Sequence, residues 1–338
     1  VFAFLVRRVF AGVVMVIVMS LVTFVLFFAS PVDIAAYACG KNCSPAIKEQ
    51  TRKALGYDDP TLVQWKDFMG GIVKGRVYPN DPELREAAPQ LVTKCEAPCF
   101  GYSQLNLKTV NEEISEALPI TASLAVFALI LWLIGGVALG SIAALTKGSF
   151  LDRGLVGISL VFYAFPTFFI GLLLLKFVSI KWGLWDTPVY TPIAEGGVGK
   201  WLYNLFLPSL TLAVVFMAAY VRMTRAFVLE AMSEDYIRTA HSKGLSRGRV
   251  LRKHTLRAAL TPLVTMAGLD FAGLMGGAII TEFVFNFNGL GKLVVEANRT
   301  YDLPTIIGVV ILAASFVIIM NIIVDVLYAV IDPRVRLG

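Results

Sequence analysis

Charge is scarce in this 338-residue chain. Asp, Glu, Lys and Arg make up 16% of it, against 57% hydrophobic residues, and the mean hydropathy is +0.72. Such a composition cannot cover a water-facing surface, which excludes a soluble enzyme or binding module and places the chain among integral membrane proteins. Histidine is nearly absent too: His241 and His254 are the only two, and both lie in one basic stretch. The apolar runs hold no His/Cys metal cage, nucleophile motif or paired-carboxylate constellation. The phosphate cradle Gly-x-x-x-x-Gly-Lys-Ser/Thr is also missing, since Gly199-Lys200-Trp201 and Gly291-Lys292-Leu293 lack both the upstream glycine and the hydroxyl residue. The chain is therefore expected to be no enzyme, no ATPase by itself, and to bind no metal or cofactor of its own. No inverted internal repeat of the secondary-transporter kind is evident. The net charge of +6 arises from basic residues that flank apolar spans, with no separate basic domain, which argues against nucleic-acid binding.

What is present is a set of six long apolar runs, roughly residues 9–30, 119–145, 154–180, 206–228, 262–284 and 304–331, each long enough to cross a bilayer. The first is too long for a signal peptide and leads into a charged segment, so residues 1–30 read as a retained anchor helix. Arg7, Arg8, Lys147, Arg153, Arg334 and Arg336, with nine further Lys and Arg between 222 and 257, fall on one side. The short loops opposite hold Lys181, Lys200, Lys292 and Arg299. By the positive-inside rule both termini and the 229–258 loop are cytoplasmic, with 332–338 as a cytoplasmic tail. The resulting division is an anchor over 1–30, an external segment over 31–117 and a membrane core over 118–331.

All four cysteines lie in the external segment, as Cys39-x-x-x-Cys43 and Cys95-x-x-x-Cys99. Outside the cytoplasm they read as two disulfides with three possible connectivities. Pairing within each i, i+4 couple and a two-rung staple between the couples are both allowed. A metal site competes with that reading, against a spacing unusual for zinc and no nearby histidine. Between the couples, Tyr57-Asp58-Asp59-Pro60 and Tyr78-Pro79-Asn80-Asp81-Pro82 supply turns, while Leu62, Val63, Trp65, Phe68, Met69 and Ile72 mark an amphipathic helix.

Within the spans, Gly136-x-x-x-Gly140 and Gly273-x-x-x-Gly277 offer faces for close helix packing. Pro166 predicts a kink or break in the third span. Asp270 falls near the middle of the fifth, where an ionised carboxylate costs at least about 2.5 kcal/mol on insertion scales, so it needs a partner or a watery path. It reads either as a contact for a substrate ammonium group or gate, or as a structural bond to another helix. Asn321 and Asp325 suit packing on the last span, and Arg222 and Arg225 are expected to snorkel to the cytoplasmic surface.

The densest signal is the charged island 233–262, SEDYIRTAHSKGLSRGRVLRKHTLRAALTP. Ser233 fits a helix N-cap, Glu234 and Asp235 the first turn, Lys243 the last, and Gly244 the left-handed position after it, giving a helix of about ten residues. Tyr236, Ile237 and Ala240 share one side of it; Arg238, His241 and Ser242 point elsewhere. Ser246 can cap a second, basic helix, and Thr261-Pro262 fit the start of the next span.

The spacing Asp235-Tyr236-x-Arg238-Thr239-Ala240-x-x-Lys243-Gly244-Leu245-Ser246 resembles the EAA loop of dipeptide/oligopeptide-type ABC importer permeases, the DppB/OppB family. The glutamate of the broad Glu-Ala-Ala-x-x-x-Gly signature is replaced by Arg238, and His254, Leu256 and Arg257 depart from its later Ile-x-Leu-Pro part. Glu282, Val284, Phe285, Gly289, Leu290 and Gly291 are similar to a second stretch of these permeases, and Asp332-Pro333-Arg334 to their ending. The likeness is weakest over 31–117.

The resemblance implies an all-helical, six-span permease of the MetI-like, type I ABC importer fold in a bacterial cytoplasmic membrane. Glu234, Asp235, Tyr236, Arg238, Ala240, Gly244 and Leu245 would form a coupling helix, and Glu282 and Phe285 would stand close to the pathway, with Asp270 added as a pathway or gate candidate by its charge in mid-span. It further implies a second homologous permease subunit, two cytoplasmic ATPase subunits that hold ATP and Mg, an external substrate-binding protein, and short peptides as cargo. Haem, nickel and glutathione are the alternatives within the class. A gradient-driven transporter using Asp270, or a non-transporting scaffold, are the competing readings outside it.

Overall fold

The computed structural model of the chain describes residues 2–28, 35–36, 43–54, 57–80, 82–87, 89–276 and 278–331. In chain order it runs α1 (Phe2–Phe28), α2 (Pro45–Ala54), α3 (Thr61–Lys74), β1 (Arg76–Tyr78), α4 (Pro82–Ala87), β2 (Thr93–Cys95), β3 (Tyr102–Ser103), β4 (Lys108–Thr109), α5 (Val110–Leu145), α6 (Phe150–Ala164), α7 (Thr167–Leu173), α8 (Ile193–Ser233), α9 (Asp235–Ser242), α10 (Arg247–Val250), α11 (Leu256–Met275), α12 (Ile279–Val284), α13 (Leu290–Thr300) and α14 (Leu303–Ile331). Among the described residues, five helical stretches are long and apolar enough to cross a membrane: Val6–Phe27, Val110–Leu145, Ile193–Ser233, Gly248–Met275 and Leu303–Val326.

The third apolar run is a helix pair bent by 100° between Phe150–Ala164 and Thr167–Lys181, and it makes a sixth candidate span if the pair counts as one. Pro166 causes the break. It lacks an N–H for the helix ladder and forces Phe165 into an extended conformation (φ −85°, ψ 136°). Extended itself, Pro166 then opens α7, which continues as a π-helical stretch over Leu174–Lys181.

The second span begins at Val110, nine residues before the apolar run, and carries Pro119 inside it. A reciprocal capping box starts it: the Glu112 N–H donates to Thr109 Oγ1 (3.2 Å) and the Thr109 N–H to Glu112 Oε2 (2.9 Å). The start expected at Thr261-Pro262 is likewise corrected. Helical structure is already continuous from Arg247 through a π-helical turn at Leu251–Thr255 into α11, so Pro262 sits inside the helix while Thr261 Oγ1 donates back to the Arg257 carbonyl (3.2 Å).

The chain divides into two compact units. One comprises residues 1–5, 120–287 and 317–338. Its axis is α8, which is broken at Gly197 (φ +71°) and otherwise helical to Ser233. A Cβ on Gly136 would lie 2.6 Å from Tyr220 Cβ, and one on Gly140 would lie 2.6 Å from the Val221 carbonyl oxygen, so this pair lets α5 and α8 meet backbone to backbone. Beside that contact Trp132 stacks on Phe216 at 4.6 Å. The other glycine pair behaves differently: nothing lies within 4 Å of a Cβ at Gly273, and Gly277 is outside the described residues. On α11 the close approach is at Gly268, against Val324 of α14.

The other unit comprises residues 6–119 and 288–316. Its core gathers Phe24, Phe68, Leu303, Ile307 and Ile311, with Trp65, Met69 and Ile72 packed against them. The expected amphipathic helix is therefore present as α3, although Leu62 and Val63 are exposed. Two small antiparallel sheets, β1 with β2 and β3 with β4, brace the segment. Cys95 and Cys99 form a disulfide and are buried against Tyr78, which excludes both connectivities that would join the two couples. Cys43 is also disulfide-bonded, and Cys39 lies outside the described residues.

Candidate coupling helix and intramembrane carboxylates

The island forms a short closed helix at the end of a long one. Ser233 is not its cap. That residue completes α8 and donates its hydroxyl to the Glu230 carbonyl (2.7 Å), and Glu234, in extended conformation, stands between the two helices. α9 is consequently eight residues long, shorter than expected at its start.

Its other end closes as the sequence predicts. Gly244 has φ +76°, its N–H donates to the His241 carbonyl (2.9 Å), and the Leu245 N–H reaches the Ala240 carbonyl (3.3 Å). Those two bonds are the Schellman pattern, and the apolar contact that accompanies it is here as well. Ile237, Ala240 and Val250 are buried together with Leu245 packed on them. Tyr236 departs from that side: it is 44% exposed, with Asp235 and Arg238 also exposed and 3.7 Å apart. α9 thus pins one apolar edge and presents carboxylate, phenol and guanidinium groups outward.

Arg225 and Arg222 each meet a partner within the chain. Arg225 Nε and Nη2 donate to Asp152 Oδ1 and Oδ2 at 2.6 and 2.8 Å, and Asp152 is buried. The carboxylate is placed by its own helix start, where Ser149 caps the Asp152 N–H (3.2 Å) and the Gly148 N–H donates to Asp152 Oδ2 (2.9 Å). Arg222 lies over the Tyr163 ring at 4.6 Å. A planar guanidinium suits both partners, forking onto a carboxylate in one case and lying over a ring in the other.

Deeper in the spans, Asp270 accepts a 2.6 Å bond from Tyr220 Oη, from a tyrosine that is fully buried and tilted against Trp132. Glu282 is buried on α12 and accepts from Thr121 Oγ1 of α5 (2.7 Å). Phe285 is buried with Ile120, Leu124, Leu205, Leu207 and Phe287. It also faces α7, because a Cβ on Gly171 would stand 3.5 Å from its ring and 3.2 Å from Val284. The structure thus gives each of the three expected pathway residues a helix-to-helix contact. Sequence reading missed Tyr220, Thr121 and Asp152. Tyr220 and Thr121 are hydrogen-bonding side chains in apolar runs, and Asp152 follows Ser149 by three residues at a helix start, which are the signals the sequence offers.

Residues 136–337 match the family of binding-protein-dependent transport system inner membrane components, and residues 1–125 match the N-terminal region of such membrane components. The chain belongs to this family. The permease is 33% identical over 333 residues to a probable peptide ABC transporter permease protein of Sinorhizobium fredii, covering 98% of this chain and 99% of that one. It is 34% identical to the dipeptide transport system permease protein of Haemophilus influenzae, covering 99% of each. A solved structure of the MetNI methionine ABC transporter in an inward-facing conformation matches the permease with TM-score 0.52 at 16% identity, over 66% of this chain and 97% of that one. That likeness concerns the fold, and it identifies the MetI-like arrangement of helices. The permease is accordingly a multi-pass membrane component of an ABC transporter, a family in which ATP hydrolysis lies in other subunits.

Proposed function

We propose that this permease forms half of the translocation pathway of an ATP-driven, binding-protein-dependent importer of short peptides. The single observation that carries the substrate class is full-length similarity, at about one-third identity, to permeases named for peptides and dipeptides. Its partners are a second homologous permease, two cytoplasmic ATPases that hold ATP and Mg, and an external binding protein. The distribution of Lys and Arg supports cytoplasmic termini and a cytoplasmic 229–258 loop.

In this reading Glu234, Asp235, Tyr236, Arg238, Ala240, Gly244 and Leu245 make the coupling element. Ala240 and Leu245 anchor α9 and Gly244 closes it, while Tyr236, Asp235 and Arg238 meet the ATPase. ATPase closure on ATP shifts α9, and with it α8 and α11. Glu282, Phe285 and Asp270 act where those helices meet their neighbours, as gate contacts that break and re-form. Co-purification in mild detergent tests the assembly. A second six-span chain and two nucleotide-binding subunits that hydrolyse ATP are expected. A chain that emerges alone and moves cargo on a gradient would overturn it.

A further inference from the structure

The unit of residues 6–119 and 288–316 contains a cavity of about 850 Å³ that the translocation pathway does not account for. Its wall includes Asp302, which is 94% buried by its 6% exposure. The Asp302 Oδ2 accepts from the Ser103 hydroxyl and from Thr305 Oγ1 (3.1 Å). The same Thr305 hydroxyl lies 2.8 Å from Glu113 Oε2, and Glu113 is itself buried and accepts from Asn106 Nδ2 (2.6 Å). A hydroxyl carries one proton, so it serves one of these two carboxylates at a time. Neither has a cationic partner within salt-bridge distance among the described residues. Lys108, which acts weakly on Glu113, is exposed and tied to Glu116 at 2.8 Å. Burial pushes the Asp302 carboxyl up from its ordinary range. Asp302, a desolvated carboxyl on the cavity wall without a counter-charge, leaves a place for a cation, and Glu113 stands behind it through the shared Thr305 hydroxyl.

The remaining wall specifies which kind. Tyr78 and Tyr102 stack at 5.3 Å and line the cavity together with Tyr57 and Tyr301, whose ring faces attract an ammonium group. Lys66 and Lys74 are exposed and contribute positive charge, with Asp59 and Asp67 nearby. Arg76 is committed, donating to the Asp67 and Phe68 carbonyls. A polyamine would be repelled by the two lysines. A molecule that carries both an ammonium and a carboxylate group finds a partner for each on this wall.

We propose that this cavity binds the free amino terminus of a short peptide, with the ammonium group on Asp302 and the terminal carboxylate towards Lys66 and Lys74. The peptide class rests on the import reading given above. The cavity then holds cargo on this unit of the permease itself, separately from the binding protein.

The test uses the assembled importer in nanodiscs without its binding protein, titrated calorimetrically with trialanine, N-acetyl-trialanine and trialanine amide. Trialanine is expected to bind saturably and the acetylated form at least about tenfold more weakly, with Asp302→Asn removing that difference. The double variant Lys66→Gln, Lys74→Gln, at exposed positions that do not endanger folding, is expected to reduce the preference for trialanine over its amide. Equal affinity for the free and acetylated peptides overturns the proposal. So does a loss of binding-protein docking in Asp302→Asn with trialanine affinity unchanged, which would make the cavity a protein-docking surface. Uptake of trialanine by proteoliposomes supplied with the binding protein is measured in parallel. Uptake without direct binding removes the cavity and leaves peptide import standing, whereas Asp302-dependent binding without uptake removes peptide import and leaves the cavity.

Discussion

Arg225 grips Asp152 through two parallel N–H···O bonds, joining the middle helix of the core to the start of α6. The fork geometry belongs to arginine: lysine supplies one point charge, and alanine leaves a buried carboxylate without its ion-pair partner. Arg225→Ala is expected to lower the unfolding midpoint in detergent by several degrees. Arg225→Lys should recover part of that loss, and Asp152→Asn with Arg225→Ala should be milder than Arg225→Ala alone. Scanning fluorimetry on the four proteins checks this. Equal midpoints for Arg225→Ala and the wild type would make the pair a surface contact.

Gly244→Val tests the closure of α9. A β-branched residue at φ +76° costs about 1–3 kcal/mol and opens both bonds of the closure. ATP-driven uptake should be lost while the chain still inserts, and Gly244→Asn should retain most of it, since asparagine tolerates that conformation. Normal uptake by the valine variant would sink the coupling role.

The two glycine pairs should respond unequally. Gly140→Ala places a methyl group 2.6 Å from the Val221 carbonyl oxygen, so helices must separate, at about 1–3 kcal/mol. Gly273→Ala meets nothing within 4 Å in this chain and should leave the stability of the isolated permease unchanged. A loss of complex assembly by Gly273→Leu with the subunit intact would locate the second permease on that face.

Asp302 predicts a pH dependence with a defined sign. Its carboxyl is raised in the folded protein by burial, so the folded state prefers the protonated form relative to the unfolded chain. Its contribution to stability is therefore full below the unfolded value and is lost as pH rises through the folded one. The unfolding midpoint should fall across that window in the wild type. Asp302→Asn should remove this component, and an unchanged profile in the variant would refute it.

Much of this arrangement was legible in the sequence because it depends on local chemistry. Pro166 announces its break wherever it stands in a helix, and Gly244 announces a left-handed turn after a last-turn lysine. The start of α5 was equally available in Thr109-x-x-Glu112, but polarity disguised the helix where it precedes the apolar run. Tyr220, Thr121 and Asp152 were not legible as partners, because their bonds span 50, 161 and 73 residues and depend on which helix faces which. Arg225 illustrates the same limit. Its position at a span end suggested solvation, and only the fold reveals the carboxylate waiting for it.

The junction at Glu234 has a mechanical consequence. A single extended residue separates α9 from a helix that runs without a break from Val198, over about 54 Å at the usual rise. There is no slack in such a joint, and the buried edge of Ile237 and Ala240 stops α9 from swivelling freely. Under the proposed coupling role, a thrust on its outer face would be passed to α8 as tilt instead of dissipating in a loop. Lengthening the joint by a few glycines would uncouple the two ends while leaving every contact within each of them in place.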